Sequence, residues 1–251
     1  MLEPATAFTG HPDATLGRIL AGLRERHPHL AAGPVDDGPT PDEPGHPEYH
    51  RRRRAEWNLS RWETATPPRY RRAEATHPEV QKWADAVAAN PTEAGSLLLT
   101  GTTGTGKTHQ AYGALRRIAA TGSTHPYEIR AIVAADMYGL LRPNGSQRGA
   151  EAELGRLTRV PLLVLDDLGS AKASEWVEEI TYRLINERYN ACKPTLYTSN
   201  FPSDSRDRET GVRRGPDLIT ILGDRIVSRL SEDTTVIGMA GPDRRRGGQA
   251  A

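Results

Sequence analysis

A single cysteine, Cys192, stands in the 251 residues. That excludes an internal disulfide framework and any multi-cysteine zinc site, and it suits a reducing compartment. Aromatic residues are scarce at 6%, with only two phenylalanines, so a core has to be built mainly from aliphatic side chains. No run approaches the roughly 20 consecutive apolar residues of a membrane helix, which excludes a helical membrane-spanning protein. Met1–Gly10 lacks the basic stretch and apolar segment of a secretory leader. These readings predict a cytoplasmic protein without a membrane partner. Net charge is also missing: 33 Lys and Arg oppose 32 Asp and Glu, for a formal +1. Such an average names no polyanionic partner, so the charge has to be followed along the chain.

Leu16, Ile19, Leu20 and Leu23 fall at helical spacing, and a helix over Asp13–Leu30 is predicted, with Asp13 as its N-cap. Residues 33–47 (GPVDDGPTPDEPGHP) carry five prolines and three glycines and read as a linker. Glu48–Glu63 has helical composition around a dense positive block, stopped by Pro67-Pro68. The texture then changes. Short apolar runs at Ser96–Thr100, Glu128–Ala134, Val160–Leu165, Thr195–Thr198 and Thr234–Ile237 alternate with helical patterns. These helices are predicted at 78–89, 107–121, 136–141, 149–158, 174–190 and 217–230. Apolar, non-alternating strands separated by helices predict an α/β fold whose parallel central sheet is covered on both faces. The predicted division is a helical N-terminal region at 1–65, with a basic block at 48–65, then an α/β domain at 66–246 and a frayed tail at 247–251.

Gly101–Thr108 reads GTTGTGKT, matching G-x-x-x-x-G-K-[ST] at every fixed position, after an apolar strand and at the start of a helix. Gly101, Thr102, Thr103, Gly104, Thr105 and Gly106 form a loop whose N–H groups converge on phosphates, and the helix opening at Lys107, Thr108 and His109 adds its positive end. Lys107 reaches the β and γ phosphates and the Thr108 hydroxyl ligates Mg²⁺. Leu162–Asp167 (LLVLDD) supplies a second strand end, with Asp166 for the Mg²⁺ shell and Asp167 to orient the attacking water. The plain alternatives are a glycine-rich turn that binds nothing and a solvated acidic turn. Thr198-Ser199-Asn200 follows the next apolar run; taken alone it is ordinary turn chemistry.

GTTGTGKTH, LLVLDDLG, INERY (Ile185–Tyr189), TSN (Thr198–Asn200) and GDRIVSRL (Gly223–Leu230) occur in this order. Over roughly residues 66–246 the chain thereby resembles the AAA+ P-loop ATPases of the DnaC-type helicase loaders and their IstB-type transposition relatives. PPRYRRA (Pro67–Ala73) is similar to the lead-in of such proteins. The resemblance implies ATP with Mg²⁺ as ligands, Asn200 as the sensor of the γ-phosphate, and Arg229 as an arginine finger that completes a neighbouring subunit's site. Arg225 is a weaker finger candidate. Arg244 falls near the second sensor position, with a register blurred by Arg245 and Arg246. Arg225 and Arg229 read equally well as a solvated helix face. Asp167 departs from the glutamate of many AAA+ proteins, which implies slow turnover, stimulated by oligomerisation or DNA. The N-terminal region lacks the cysteines of a zinc-binding loader domain.

Glu48–Arg72 holds eight arginines against three glutamates, with Trp57 and Trp62 interleaved. Arginine with aromatics suits single-stranded DNA or an acidic protein surface, and the alternative is a basic helix whose tryptophans pack on the ATPase domain. The irregularly spaced, proline-flanked His11, His27, His29, His46 and His50 argue against a metal site. Three functions follow as expectations. The first is an ATP-switched loader that brings a hexameric replicative helicase to single-stranded DNA and associates with itself through Arg229. The second is an IstB-like transposition regulator acting on double-stranded DNA. The third is a nucleotide-binding adaptor with negligible hydrolysis.

Overall fold

The structure is a computed structural model that describes residues 13–26, 38–207 and 209–243. The chain divides into a unit of residues 1–40 and a unit of residues 41–251. In the first, α1 (Asp13–Arg26) is a single helix that starts at the expected Asp13. Part of the expected linker, the tail after Asp243 and Arg244 itself lie outside the described residues.

The second unit opens with α2 (Pro47–Ala65) and continues through a short 3-10 turn at Pro68–Tyr70 to α3 (Pro78–Ala89). Both helices begin with the triplet His-Pro-Glu. The proline sets the first helical φ, and the preceding histidine accepts the N–H of the glutamate on Nδ1, at 3.1 Å for His46 and 3.3 Å for His77. His46, weighed as a metal ligand, is thus a helix cap.

The remaining elements alternate: β1 (Ser96–Thr100), α4 (Lys107–Thr121), β2 (Ile129–Val133), α5 (Ala134–Leu141), α6 (Ala150–Arg159), β3 (Leu162–Asp166), α7 (Glu175–Asn190) and β4 (Thr195–Ser199). They end with α8 (Leu218–Leu222), α9 (Asp224–Glu232) and β5 (Thr234–Gly238). The five strands form one parallel sheet in the order β2-β3-β4-β1-β5. Its central strands β1, β3 and β4 are largely apolar because both of their faces are covered. Leu97, Leu99, Leu162, Val164 and Leu196 pack under α2, α3 and α4, while Leu98, Leu163, Leu165 and Tyr197 pack under α5 to α9. No helix among the described residues is long and apolar enough to cross a membrane.

Two expectations are corrected. The helix predicted over 217–230 is two helices, broken at Gly223 with φ 91°, where a side chain would strike the Glu178 carboxylate. The α/β unit also starts at Pro41 and not at residue 66. Trp62 is 4% exposed in the core beneath α2, and its Nε1 donates to the Tyr112 carbonyl at 3.2 Å. A buried indole removes roughly 150–250 Å² from water, about 4–6 kcal/mol at 25 cal/mol/Å², so α2 is part of the core. Trp57, 66% exposed, is not.

The basic block of α2 is largely committed within the fold. Arg51 and Arg52 share Glu48, Arg52 also meets Asp42, and Arg53 pairs with Glu56. Arg51 and Arg54 donate to the Thr121 and Gly122 carbonyls at the C-terminus of α4. The hydrogen bond from Arg51 is the main reason the Glu48 carboxyl is pulled down to about 2.

Candidate nucleotide-binding site

The sheet order places β4 between β1 and β3, so three strand ends meet at one C-terminal edge, where open α/β sheets bind ligands. β1 delivers the glycine-rich loop, β3 delivers Asp166 and Asp167, and β4 delivers Thr198 and Asn200. Together they line a cavity of about 600 Å³ with Thr103, Gly104, Gly106, Lys107, Thr108 and His109.

The loop is folded as a phosphate cradle. Gly106 caps α4 in a left-handed conformation at φ 95°, which directs the first N–H groups of a 15-residue helix at the cavity. Thr105 is buried and donates to the Thr102 carbonyl at 2.9 Å, closing the loop on itself. Gly101 and Thr102 do not line the cavity; their carbonyls accept Lys107 Nζ at 2.7 and 2.9 Å. Lys107 Nζ also donates to Asn200 Oδ1 at 2.9 Å, and Asn200 Nδ2 donates to Asp167 Oδ1 at 2.7 Å. Asn200 therefore bridges the loop lysine and the second acid. Asp167 itself sits at φ 59°, a left-handed conformation that a short polar side chain tolerates.

The Thr108 hydroxyl lies 3.0 Å from Asp166 Oδ1. One hydroxyl and one carboxylate, both hard oxygen donors, fit Mg²⁺, which keeps several waters and takes its other ligands from phosphates. Among the described residues no group of three or more His, Cys, Asp or Glu could hold a metal unaided. The buried Nδ1 of His109 has no hydrogen-bond partner among the described residues.

Two contributions escaped the sequence reading. The Thr198 hydroxyl donates to Asp166 Oδ1 at 2.5 Å and accepts the Asp167 N–H at 2.9 Å, orienting both acids. Nothing in the sequence shows that β4 lies beside β3, so the role of this threonine was hidden. Arg69 and Tyr70 also line the cavity. Tyr70 stacks on Tyr112 with centroids 4.8 Å apart, and Gln110 receives the N–H groups of Thr76 and His77. Gly113 lets this segment lie directly on α4, since a Cβ there would collide with the Glu74–Ala75 backbone. Burial, the nearby Asp166 charge and Tyr70 push the Tyr112 phenol up to about 12. PPRYRRA marked the position of this segment without revealing that it borders the cavity.

Arg229 lies elsewhere in the unit. Its guanidinium stands 5.0 Å over the Tyr189 ring and meets Glu232 at 3.1 Å, while Arg225 lies 4.5 Å over Tyr182. Neither lines the nucleotide cavity.

Comparison with known proteins bears on the fold and the family. Residues 77–238 match the family model described as IstB-like ATP binding protein. The replicative helicase loader DnaI of Bacillus subtilis (strain 168) is 26% identical over 151 residues, 59% of this chain and 47% of that protein. The chain thus spans about half the length of this curated relative. A crystal structure of the DnaC helicase loader superposes at a TM-score of 0.55 with 28% identity, covering 69% of this chain and all of that one. A crystal structure of DnaI gives 0.53 and 21% identity over 74% of this chain and all of that one. The architecture is the P-loop AAA+ fold.

Proposed function

The chain belongs to the family of IstB-like ATP binding proteins, and from its likeness to helicase loaders within that fold we propose that it is an ATP-dependent loader of a replicative DNA helicase. The observation that carries this reading is the closed circuit Lys107–Asn200–Asp167 and Thr108–Asp166–Thr198 around one cavity, in a chain similar to helicase loaders. The glycine-rich loop and the N-terminus of α4 hold the phosphates of ATP, with Lys107 turning from the Gly101 and Thr102 carbonyls to the β and γ oxygens. Thr108 and Asp166 hold Mg²⁺, which when bound neutralises charge building on the transferred phosphoryl group. Asp167 orients the attacking water, and Asn200 fixes Asp167 and reads the γ-phosphate. Phosphoryl transfer asks mainly for positioning and charge neutralisation, and an arginine supplied by a neighbouring subunit adds about 10³–10⁵-fold. Arg229 takes that role, so ATP state is expressed as assembly state, and hydrolysis by the isolated chain is slow. Its partners are a hexameric helicase and single-stranded DNA.

The decisive experiment is capture of the cognate replicative helicase by the full chain with ATP, with ADP and without nucleotide. ATP-dependent capture is expected. The family model favours a second reading, a transposition regulator on double-stranded DNA. Absence of capture together with ATP-dependent filaments on duplex DNA would establish that reading in place of the first. Nucleotide binding without turnover, with DNA and helicase present, would reduce the protein to an adaptor.

A further inference from the structure

A second charged cleft lies at the other end of β2. Val133, the last residue of that strand, lines the nucleotide cavity, whereas Ile129 and Arg130 line a separate cleft of about 400 Å³ with Arg61, Glu128, Arg156, Arg159 and Val160. Four guanidiniums from α2, β2 and α6 converge there. Arg130 and Arg156 share one buried carboxylate, Glu153, at 3.9 and 3.4 Å, and Arg148 meets the same group at 3.6 Å. Among the described residues Arg61 and Arg159 form no ion pair within 4.0 Å. This sets Arg61 apart from Arg51, Arg52 and Arg53 on the same helix, each of which has an acidic partner.

Basic residues in the last turn of a helix ordinarily serve its terminal carbonyls. Here that duty is taken by others. Arg188 donates to the Leu157 and Val160 carbonyls at 3.0 and 2.7 Å, and Lys193 donates to the Arg159 carbonyl at 2.7 Å. With Arg156 held on Glu153, the exposed guanidinium of Arg159 is thus left, with that of Arg61, for an outside anion.

We propose that this cleft binds the phosphodiester backbone of duplex DNA. Guanidinium forks match phosphate oxygens in pairs, and no aromatic side chain lines the cleft to stack an unpaired base. Contact limited to phosphates positions a duplex without reading its sequence. The inference rests on the reading that this protein works on DNA, adds a duplex contact to the single-stranded partner proposed above, and assigns it to α2, β2 and α6 in place of the basic run Arg51–Arg54.

The test measures anisotropy of a labelled 30-base-pair duplex of mixed sequence, with the full chain and ATP, between 50 and 200 mM salt. Each phosphate neutralised contributes about 0.9 to the slope of log affinity against log salt. R61Q/R159Q is expected to lower that slope by about 2 and weaken binding about 50-fold at the middle of the range. R53Q/R117Q, with the same change in net charge, removes two arginines already paired with Glu56 and, on α4, with Asp85 at 2.6 Å, and is expected to leave the slope within about 0.5 of wild type. Melting temperature and binding of a fluorescent ATP analogue should match wild type in both variants. Equal loss in the two variants, an unchanged slope in R61Q/R159Q, or loss confined to single-stranded oligo-dT would overturn the proposal while leaving DNA binding intact. Loss of helicase capture with duplex binding unchanged would make the cleft a protein-docking surface and overturn it too. Failure of the wild type to bind any DNA would overturn both this proposal and the DNA half of the functional reading.

Discussion

Replacing Thr198 by valine tests the claim that one buried hydroxyl holds both acids of the site. Valine keeps the volume of threonine, so the β4 packing survives, and what disappears is chemical. The bond to Asp166 Oδ1 at 2.5 Å is charge-assisted, a class that contributes about 1.5–3 kcal/mol. The Asp167 N–H, 2.9 Å from the same oxygen, loses its acceptor, at roughly 1–3 kcal/mol where water does not reach it. Thr108 also touches Asp166 Oδ1, at 3.0 Å, but a bound metal would claim that hydroxyl, so it cannot substitute for Thr198. T198V is therefore expected to need about 10–100-fold more Mg²⁺ for half-maximal ATP turnover, tenfold for each 1.4 kcal/mol. Metal-free binding of a fluorescent nucleotide should change by less than about threefold, since the phosphate loop is intact. T198S restores the hydroxyl, gives up only about 0.8 kcal/mol of buried methyl, and should recover the wild-type Mg²⁺ dependence. The assay is a Mg²⁺ titration of steady-state turnover for the three proteins. Wild-type Mg²⁺ dependence in T198V, or equal damage in T198S, would show that the Thr198 hydroxyl does not hold the two acids.

D167N should bind ATP normally and lose most hydrolysis: asparagine accepts the φ of 59° but cannot polarise water, and a single-turnover assay decides. R229A should retain nucleotide affinity yet lose stimulation of turnover by DNA or self-association; undiminished stimulated turnover would remove Arg229 from the site. Arg188 is 1% exposed, burial pulls its guanidinium down to about 10, and it serves the Leu157, Val160 and Pro194 carbonyls and the Thr195 hydroxyl. R188M leaves these acceptors bare and should lower unfolding free energy by about 3–5 kcal/mol in urea, and a loss under 1 kcal/mol would contradict the account. Burial alone would raise the Asp217 carboxyl, but hydrogen bonds from Thr220 and Ser205 outweigh it and hold the group well below the usual carboxylate range. Its stabilisation is thus present above the unfolded value of about 3.9 and is lost as acid titrates the folded group. D217N should be less stable at pH 7 and show a shallower fall in melting temperature between about pH 4 and 2.

Local signals in the chain suffice for the glycine-rich loop, the two acids after LLVL, the α/β class and most element positions. Spacing, apolar runs and glycine placement act within a few residues, whereas the His-Pro-Glu start of α2 reads in the sequence as the end of a linker. Helix α7 begins as the pattern requires, with Ser174 accepting the Val177 N–H. What depends on neighbours distant in the chain was settled by folding. Strand order set Thr198 beside Asp166, 32 residues away, and packing on α4 made Trp62 a core residue instead of a stacking platform. The overall balance of 33 positive and 32 negative charges names no partner for the same reason. Which arginine is neutralised and which is left to a partner depends on the carboxylates and carbonyls that folding brings within reach. By that criterion Arg51 to Arg54 are spent within the fold, while Arg61 and Arg159 face outward.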